Sequence, residues 1–443
     1  MTQILPNLEL INGFLPGEDG WSSAMNDNLD TIDSRVRKVF VAGSAEYPTF
    51  QAAYDAAPAG GRIYCPNSLG QFIPPTAAGW TIDKAIEVFG DGLGSSATLA
   101  QGFGYFDAGG ATGTKNSVVF NLTENARFYL HDIVIYPPSG QPASGGTGDA
   151  IRFAPASAPT PMVNLIIERC FILYAGRSGL RIGDGTQYAV HTSVRDTTIY
   201  GCRDVGVYFN LSNIINLDTV VSTTNRGEVL NYASCFYFEG CSDVSMRACT
   251  AEVAGQGLSN ADYSGYVHLS SVHSGNIQCH IEDAGEAAIK NGIVINSSKG
   301  INVAGTTISF PAAAGSKAIT LLNGAIGNFI GANEINFVEY AVKVDSAAAD
   351  YGNVIMPQMV LNSNATAPGK ITLPANHRNF ALITNITAGV ADNKGVGILL
   401  PCMSSAAAVD SSLLLDGLLF YDTNDDKLKL RANGTTVVVG TQT

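Results

Sequence analysis

Charge is scarce in this sequence. Asp, Glu, Lys and Arg make up 14% of it, and 25 basic residues face 38 acidic ones, for a net charge of −13. So acidic a chain is poorly suited to a nucleic-acid backbone or an anionic membrane surface. Neutral sugars are not excluded. Long apolar runs are missing too, so no membrane span is expected. Met1–Pro6 has neither the basic start nor the apolar core of a secretion leader, which points to assembly in the cytoplasm. The eight cysteines (Cys65, Cys170, Cys202, Cys235, Cys241, Cys249, Cys279 and Cys402) show no zinc or redox spacing. They read as small buried apolar residues of a protein made under reducing conditions. No cofactor motif stands out: Gly90–Gly94 is followed by no phosphate-binding helix and fits the corner of a strand.

What the sequence does have is a repeat. Ile167, Val194, Leu217, Met246, Ile277, Val303 and Ile330 occupy the same place in successive copies of one apolar–polar alternation. The steps run from 23 residues (Val194 to Leu217) to 31 (Met246 to Ile277). Second strand-like runs lie between them, among them Gly179–Ile182, Gly206–Phe209, Cys235–Phe238, Tyr266–Leu269 and Gly292–Ile295. Short β-branched and aromatic runs without a helical period, recurring at this length, predict an all-β solenoid: a right-handed, single-stranded parallel β-helix. Equivalent residues then stack about 4.8 Å apart. The apolar column fills the inside, and the next residue in each copy (Glu168, Arg195, Asp218, Arg247, Gln278) points outward with alternating sign.

Three segments follow from this reading. Residues 1–40 hold a helix over Trp21–Lys38, with Met25, Leu29, Ile32 and Val36 at seam spacing. It either pairs with copies of itself or caps the open end of the solenoid. Residues 41–375 form the β-helix, opening with a short helix in Tyr47–Pro58. Residues 376–443 form a β-rich tail in which Gly417–Leu430 and the Asn433-Gly434 turn predict hairpins.

Three stretches carry a family resemblance. Tyr47–Pro58, Gly60–Pro66 and Ile86–Gly94, as helix, strand and strand into a glycine turn, resemble the opening of the pectate-lyase-like β-helix at the head of bacteriophage tailspikes. Trp21–Asp33 resembles the "Trp … Met-Asn-x-Asn-Leu" segment near the start of many tail fibres. The end of the chain is similar to their strand-turn-strand finish. The resemblance implies a virion protein, a tailspike or tail fibre of the phage tail. It implies a homotrimer built with the C-terminal tail and attachment to other tail or baseplate proteins through Trp21, Met25, Leu29 and Ile32. Bacterial surface polysaccharide is the implied ligand, bound only or bound and cut.

Cutting by hydrolysis needs two carboxylates at a defined separation. Glu252 and Glu282 fall at nearly equivalent positions of successive coils, with Asp283 and Glu286 beside the second. Asp196/Asp218 and Glu239/Asp243 are alternatives. Glu252, Glu282 and Asp283 are the preferred catalytic set, because loops at 255–265 and 284–288 could wall a groove. A lyase is the other form such a depolymerase could take. It would want a base, often Lys or Arg, near an acidic sugar, and basic residues are few here. His268, His273, Cys279, His280 and Glu282 are metal-type residues, but alternate strand positions face opposite ways, so no metal site is expected. Sugar stacking needs aromatic faces. Of the tyrosines dense in the central coils, Tyr232, Tyr237, Tyr263 and Tyr266 are the candidates, with others filling the interior.

Overall fold

The structure is a computed structural model. It describes residues 38–66, 79–92, 105–106, 118–120, 127–136, 146–153, 163–183, 190–228, 233–252, 264–282, 291–344, 351–361, 370–372, 378–383, 397–399, 402–403, 419–422, 427–432 and 435–441, with Phe72 and Pro74. The proposed attachment residues Trp21, Met25, Leu29 and Ile32 lie outside them.

The described chain is a parallel β-solenoid. One coil shows the plan. Val163–Glu168 lies on a first face, Phe171–Leu173 on a second and Leu180–Ile182 on a third. Each pairs in parallel with the strand one coil before and one coil after. Val163–Glu168 sits between Arg127–His131 and Val190–Arg195. Phe171–Leu173 sits between Val134–Ile135 and Thr198–Tyr200. Leu180–Ile182 sits between Ile151–Phe153 and Val207–Asn210.

Every step of the predicted inner column is a register pair, from Ile167↔Val194 to Val303↔Ile330. The column continues back through Leu130, Val88 and Ile63 to Phe40. These side chains are at most 5% exposed. Each contributes roughly 1.5–3 kcal/mol by leaving water. The expected outward alternation holds in register for Glu168, Arg195, Asp218 and Arg247. Only one ion pair forms within it: Asp218 accepts from Arg247 Nε at 3.0 Å and, more closely, from Nη2. Glu168 turns instead to Tyr129 and Arg169.

The corner between the first and second faces is closed by one left-handed residue per coil: Asp132, Arg169, Asp196, Thr219 and Ala248, with φ between 46° and 56°. Such a backbone costs a non-glycine residue about 1–2 kcal/mol. The amides of the first four donate to the next coil, for example Arg169 N to Arg195 O at 3.0 Å and Thr219 N to Arg247 O at 2.9 Å. At Ala248 the corner coincides with a register shift between Met246 and Cys249, a bulge invisible in the sequence spacing. Further along, buried amides stack at the corners. Asn328 accepts from Ile301 N and donates to Asn353; Asn333 accepts from Thr306 N and donates to Gln358.

A helix, Phe50–Ala56, closes the first coil as expected. Thr49 caps its start by accepting from Ala52 N, and Pro58 follows its end. Lys84 Nζ donates to the carbonyls of Tyr54 and Ala57, at 2.6 Å each, at the negative end of the helix. Phe50 packs 4.8 Å from Trp80.

Cys65, Cys170, Cys202, Cys235, Cys241, Cys249 and Cys279 are buried and unpaired, matching the apolar reading. Burial pushes the thiols of Cys170 and Cys202 up to about 12. In the tail, Cys402–Met403, Leu419–Asp422, Lys427–Ala432 and Thr435–Thr441 form a separate four-stranded sheet with the two predicted antiparallel pairings. No helix among the described residues is long and apolar enough to cross a membrane.

Candidate functional site

Strand alternation decides what each face shows. On the second face one outer column runs through Tyr200, Thr223, Glu252, Glu282 and Ser309. Inside it lie Ile199, Ser222, Ala251, Ile281 and Ile308, all buried. The predicted Glu252/Glu282 pair is therefore real as a register pair. One oxygen from each and a ring nitrogen of His280 lie within 4.8 Å of one another. His280 Nε2 is 3.4 Å from Glu282 Oε2, and the two side chains are 42% and 58% exposed. Oxygens this near lie closer to the separation of about 5–5.5 Å of a retaining hydrolase than to the about 6.5–9.5 Å of an inverting one. The retaining separation, or joint chelation of a cation by the three side chains, is what the spacing permits. Asp283, the third member of the expected catalytic set, lies outside the described residues, as do residues 255–263 and 284–288 of the loops expected to wall the groove.

An aromatic row leads toward this column. Tyr136 and Tyr174 lie 6.0 Å apart, and Tyr174 meets Tyr200 edge-on at 5.4 Å. All three are half-buried, so part of each remains open. Tyr136 and Tyr174 were missed in sequence because neither sits in a repeated strand position. Tyr174 is itself a left-handed corner residue, φ 53°.

The expected sugar platforms at Tyr237 and Tyr266 are overturned. Tyr266 is fully buried, edge-on to Phe310 at 5.9 Å. Tyr237 points out from the third face yet is only 3% exposed, held between Tyr208 and His268 with ring centroids 5.3 Å from each. Tyr232 and Tyr263 lie outside the described residues.

That third-face column is a closed brace. It runs in register from Arg181 through Tyr208, Tyr237 and His268 to Val294. Arg181 covers the Tyr208 ring at 4.2 Å, and Tyr208 Oη donates to Glu239 at 2.7 Å. Burial, and then the Glu239 carboxylate, hold the Tyr208 hydroxyl protonated far above its usual range. Beside it Asp149, fully buried, accepts two bonds from Arg177 and one from Ser178 N. Glu239, offered in sequence as half of a carboxylate pair with Asp243, is engaged here.

A second network lies outside the first face at the opening coils. Glu87 accepts from Arg62 at 2.8 Å and lies 3.2 Å from His131 Nε2. Asp132 is gripped by Arg169 at 2.7 Å on both oxygens and lies 2.6 Å from His131 Nδ1. Tyr64, Phe89, His131 and Tyr129 stack in sequence at 5.2, 5.4 and 4.2 Å. Hydrogen bonding to Arg169 holds the Asp132 carboxyl below its usual value. Burial alone would raise Glu87, but Arg62 and His131 outweigh it and the net shift is downward.

No protein-family model matches the chain, and no curated protein sequence matches it. Solved structures do share its course. Tailspike protein 3 of bacteriophage CBA120 is 12% identical with a TM-score of 0.42, over 89% of this chain and 66% of that one. The pre-mature gene product 12 of bacteriophage phi29 is 10% identical with a TM-score of 0.45, over 85% and 61%. A point mutant of DFA-IIIase from Arthrobacter chlorophenolicus A6 is 12% identical with a TM-score of 0.43, over 91% and 88%. The chain thus spans less than two thirds of either phage structure. No functional conclusion follows from likeness this distant.

Proposed function

We propose that this chain is a structural protein of a phage tail, a tailspike or tail fibre that binds a bacterial surface polysaccharide along its flank. The observation that carries the reading is the second-face outer side: a half-open row, Tyr136–Tyr174–Tyr200, running into Thr223, Glu252 and Glu282 on a rigid stack. Coils about 4.8 Å apart offer the same kind of contact again and again, which suits a polymeric ligand. The fibre-like segments at both ends of the sequence support a virion role. On this reading the chain is a homotrimer joined through its tail, with residues 1–40 meeting another tail or baseplate protein. Val438 and Val439, 45% and 54% exposed, are apolar surface that assembly would cover.

The Glu252/Glu282 separation favours a second reading, a depolymerase of retaining glycosidase type on the same face. Incubating the protein with host capsule or lipopolysaccharide separates the two. Retention without new reducing ends is the result expected of a binder. Release of oligosaccharides, abolished by Glu252→Gln or Glu282→Gln, establishes the depolymerase instead. A monomeric mass at micromolar concentration, together with no retention on any bacterial surface polysaccharide, would end both.

A further inference from the structure

Outside the first face, beyond the bulge at Ala248, lies a groove of about 430 Å³. Its long side is a register column, Ser245, Asn276 and Asn302, each one coil beyond the last. Arg247, Gln278 and Gly305 line it on the side of the corner. The next rung after Asn302 is Phe329, whose ring is 42% exposed.

Four features say what it would hold. First, among the described residues the lining has no carboxylate, and its one cation, Arg247, is already bound on two nitrogens by Asp218. The groove is electrically neutral. Second, its donors and acceptors are amides in a row. Asn302 Nδ2 donates to Asn276 Oδ1 at 3.1 Å, which fixes the orientation of both. Among the described residues, Asn276 Nδ2 and the Gln278 amide have no protein partner, so both are free for hydroxyl groups. Third, the space depends on small residues. Gly305, at φ +66°, would place a Cβ 3.2 Å from Gln278 Nε2. Fourth, the rungs are spaced about 4.8 Å apart, close to the advance per ring of an extended pyranose chain. Successive sugars would therefore meet Ser245, Asn276 and Asn302, with Phe329 offering an apolar face at the end of the row.

We propose that this groove is a subsite for a neutral oligosaccharide lying along the solenoid axis, separate from the acidic pair on the second face. The proposal rests on the polysaccharide-binding reading and names where and what it binds. The test uses the full-length protein on an array of neutral and uronate-containing oligosaccharides from bacterial surface polysaccharides, with retention on whole lipopolysaccharide measured in parallel. Asn276→Ala, Gln278→Ala and Phe329→Ala are compared with wild type, and thermal unfolding of each is recorded. The expected result is binding of neutral members, insensitive to salt, weakened about tenfold or more in each variant with unchanged unfolding, as the loss of one or two hydrogen bonds or a stacking face predicts. Wild-type binding that all three variants retain would overturn the groove and leave the broader reading standing. Binding confined to uronates and abolished by salt would overturn the neutral ligand. No wild-type binding to array or lipopolysaccharide would remove the broader reading itself.

Discussion

The outside of the first face carries two chemistries on one kind of backbone. At the opening coils, the charged Arg62, Glu87, Asp132 and Arg169 are joined to one another and to His131, and Tyr64, Phe89 and Tyr129 stack among them. Further along, Ser245, Asn276, Gln278 and Asn302 are uncharged, and Asn276 Nδ2 and the Gln278 amide have no protein partner among the described residues. Beneath both lies the same apolar column. The first network uses most of its polar groups to join coils, whereas the amide row joins coils through one bond and keeps other donors and acceptors open.

The largest effect should come from the inside, which sets the baseline for both regions. Phe209 stacks on Phe238 at 5.8 Å and is fully buried. Phe209→Ala should cost about 3–5 kcal/mol in denaturant unfolding. A loss below about 1 kcal/mol would mean that the inner column does not carry the fold.

Next is the closed network. Glu87, with its side chain 13% exposed, holds two partners. Glu87→Gln should cost about 1–2 kcal/mol and leave glycan retention untouched. Lost retention with normal unfolding would make the opening coils, not the groove, the binding region.

The same network should answer to acid. The Asp132 and Glu87 carboxyls are depressed in the folded state, so their stabilisation is present above the ordinary carboxylate values of about 4 and is lost as pH falls through the depressed ones. Limited proteolysis from pH 6 to 2 should open the first coils in that lower range, and earlier in pH than the Asn276–Asn302 region. Simultaneous opening would erase the contrast.

The smallest change in stability should come from Asp218→Asn. Its partner Arg247 is exposed, so unfolding should shift only at low ionic strength. The freed guanidinium at the groove edge should, however, let acidic oligosaccharides bind on the array where wild type admits neutral ones.

How much of this could be read in the sequence follows from the same division. The inner column was legible from Ile167 to Ile330 because filling a core demands an apolar residue at every coil. The short helix was legible because Pro58 marks its end. The Glu252/Glu282 pairing was legible only to within a residue, because the bulge at Ala248 shifts the register by one after Met246↔Ile277. The stack of Tyr64, Phe89 and His131 was not: its members come from strands 25 and 42 residues apart in sequence, before the repeat becomes regular. The third-face brace was also hidden, since alternation places Tyr208 and Tyr237 outside and says nothing of what covers them. Tyr266 misled because an aromatic at a strand start reads the same whether it meets solvent or Phe310.

One feature of the coils bears on mechanics. The backbone bonds between strands all join one coil to the next, so they point along the long axis. Tension applied to the two ends meets them one layer at a time, like a zipper, and never all together in shear. A single chain pulled in this way should yield in small steps of one coil each, releasing 23 to 31 residues at a time, a pattern that force spectroscopy would record directly.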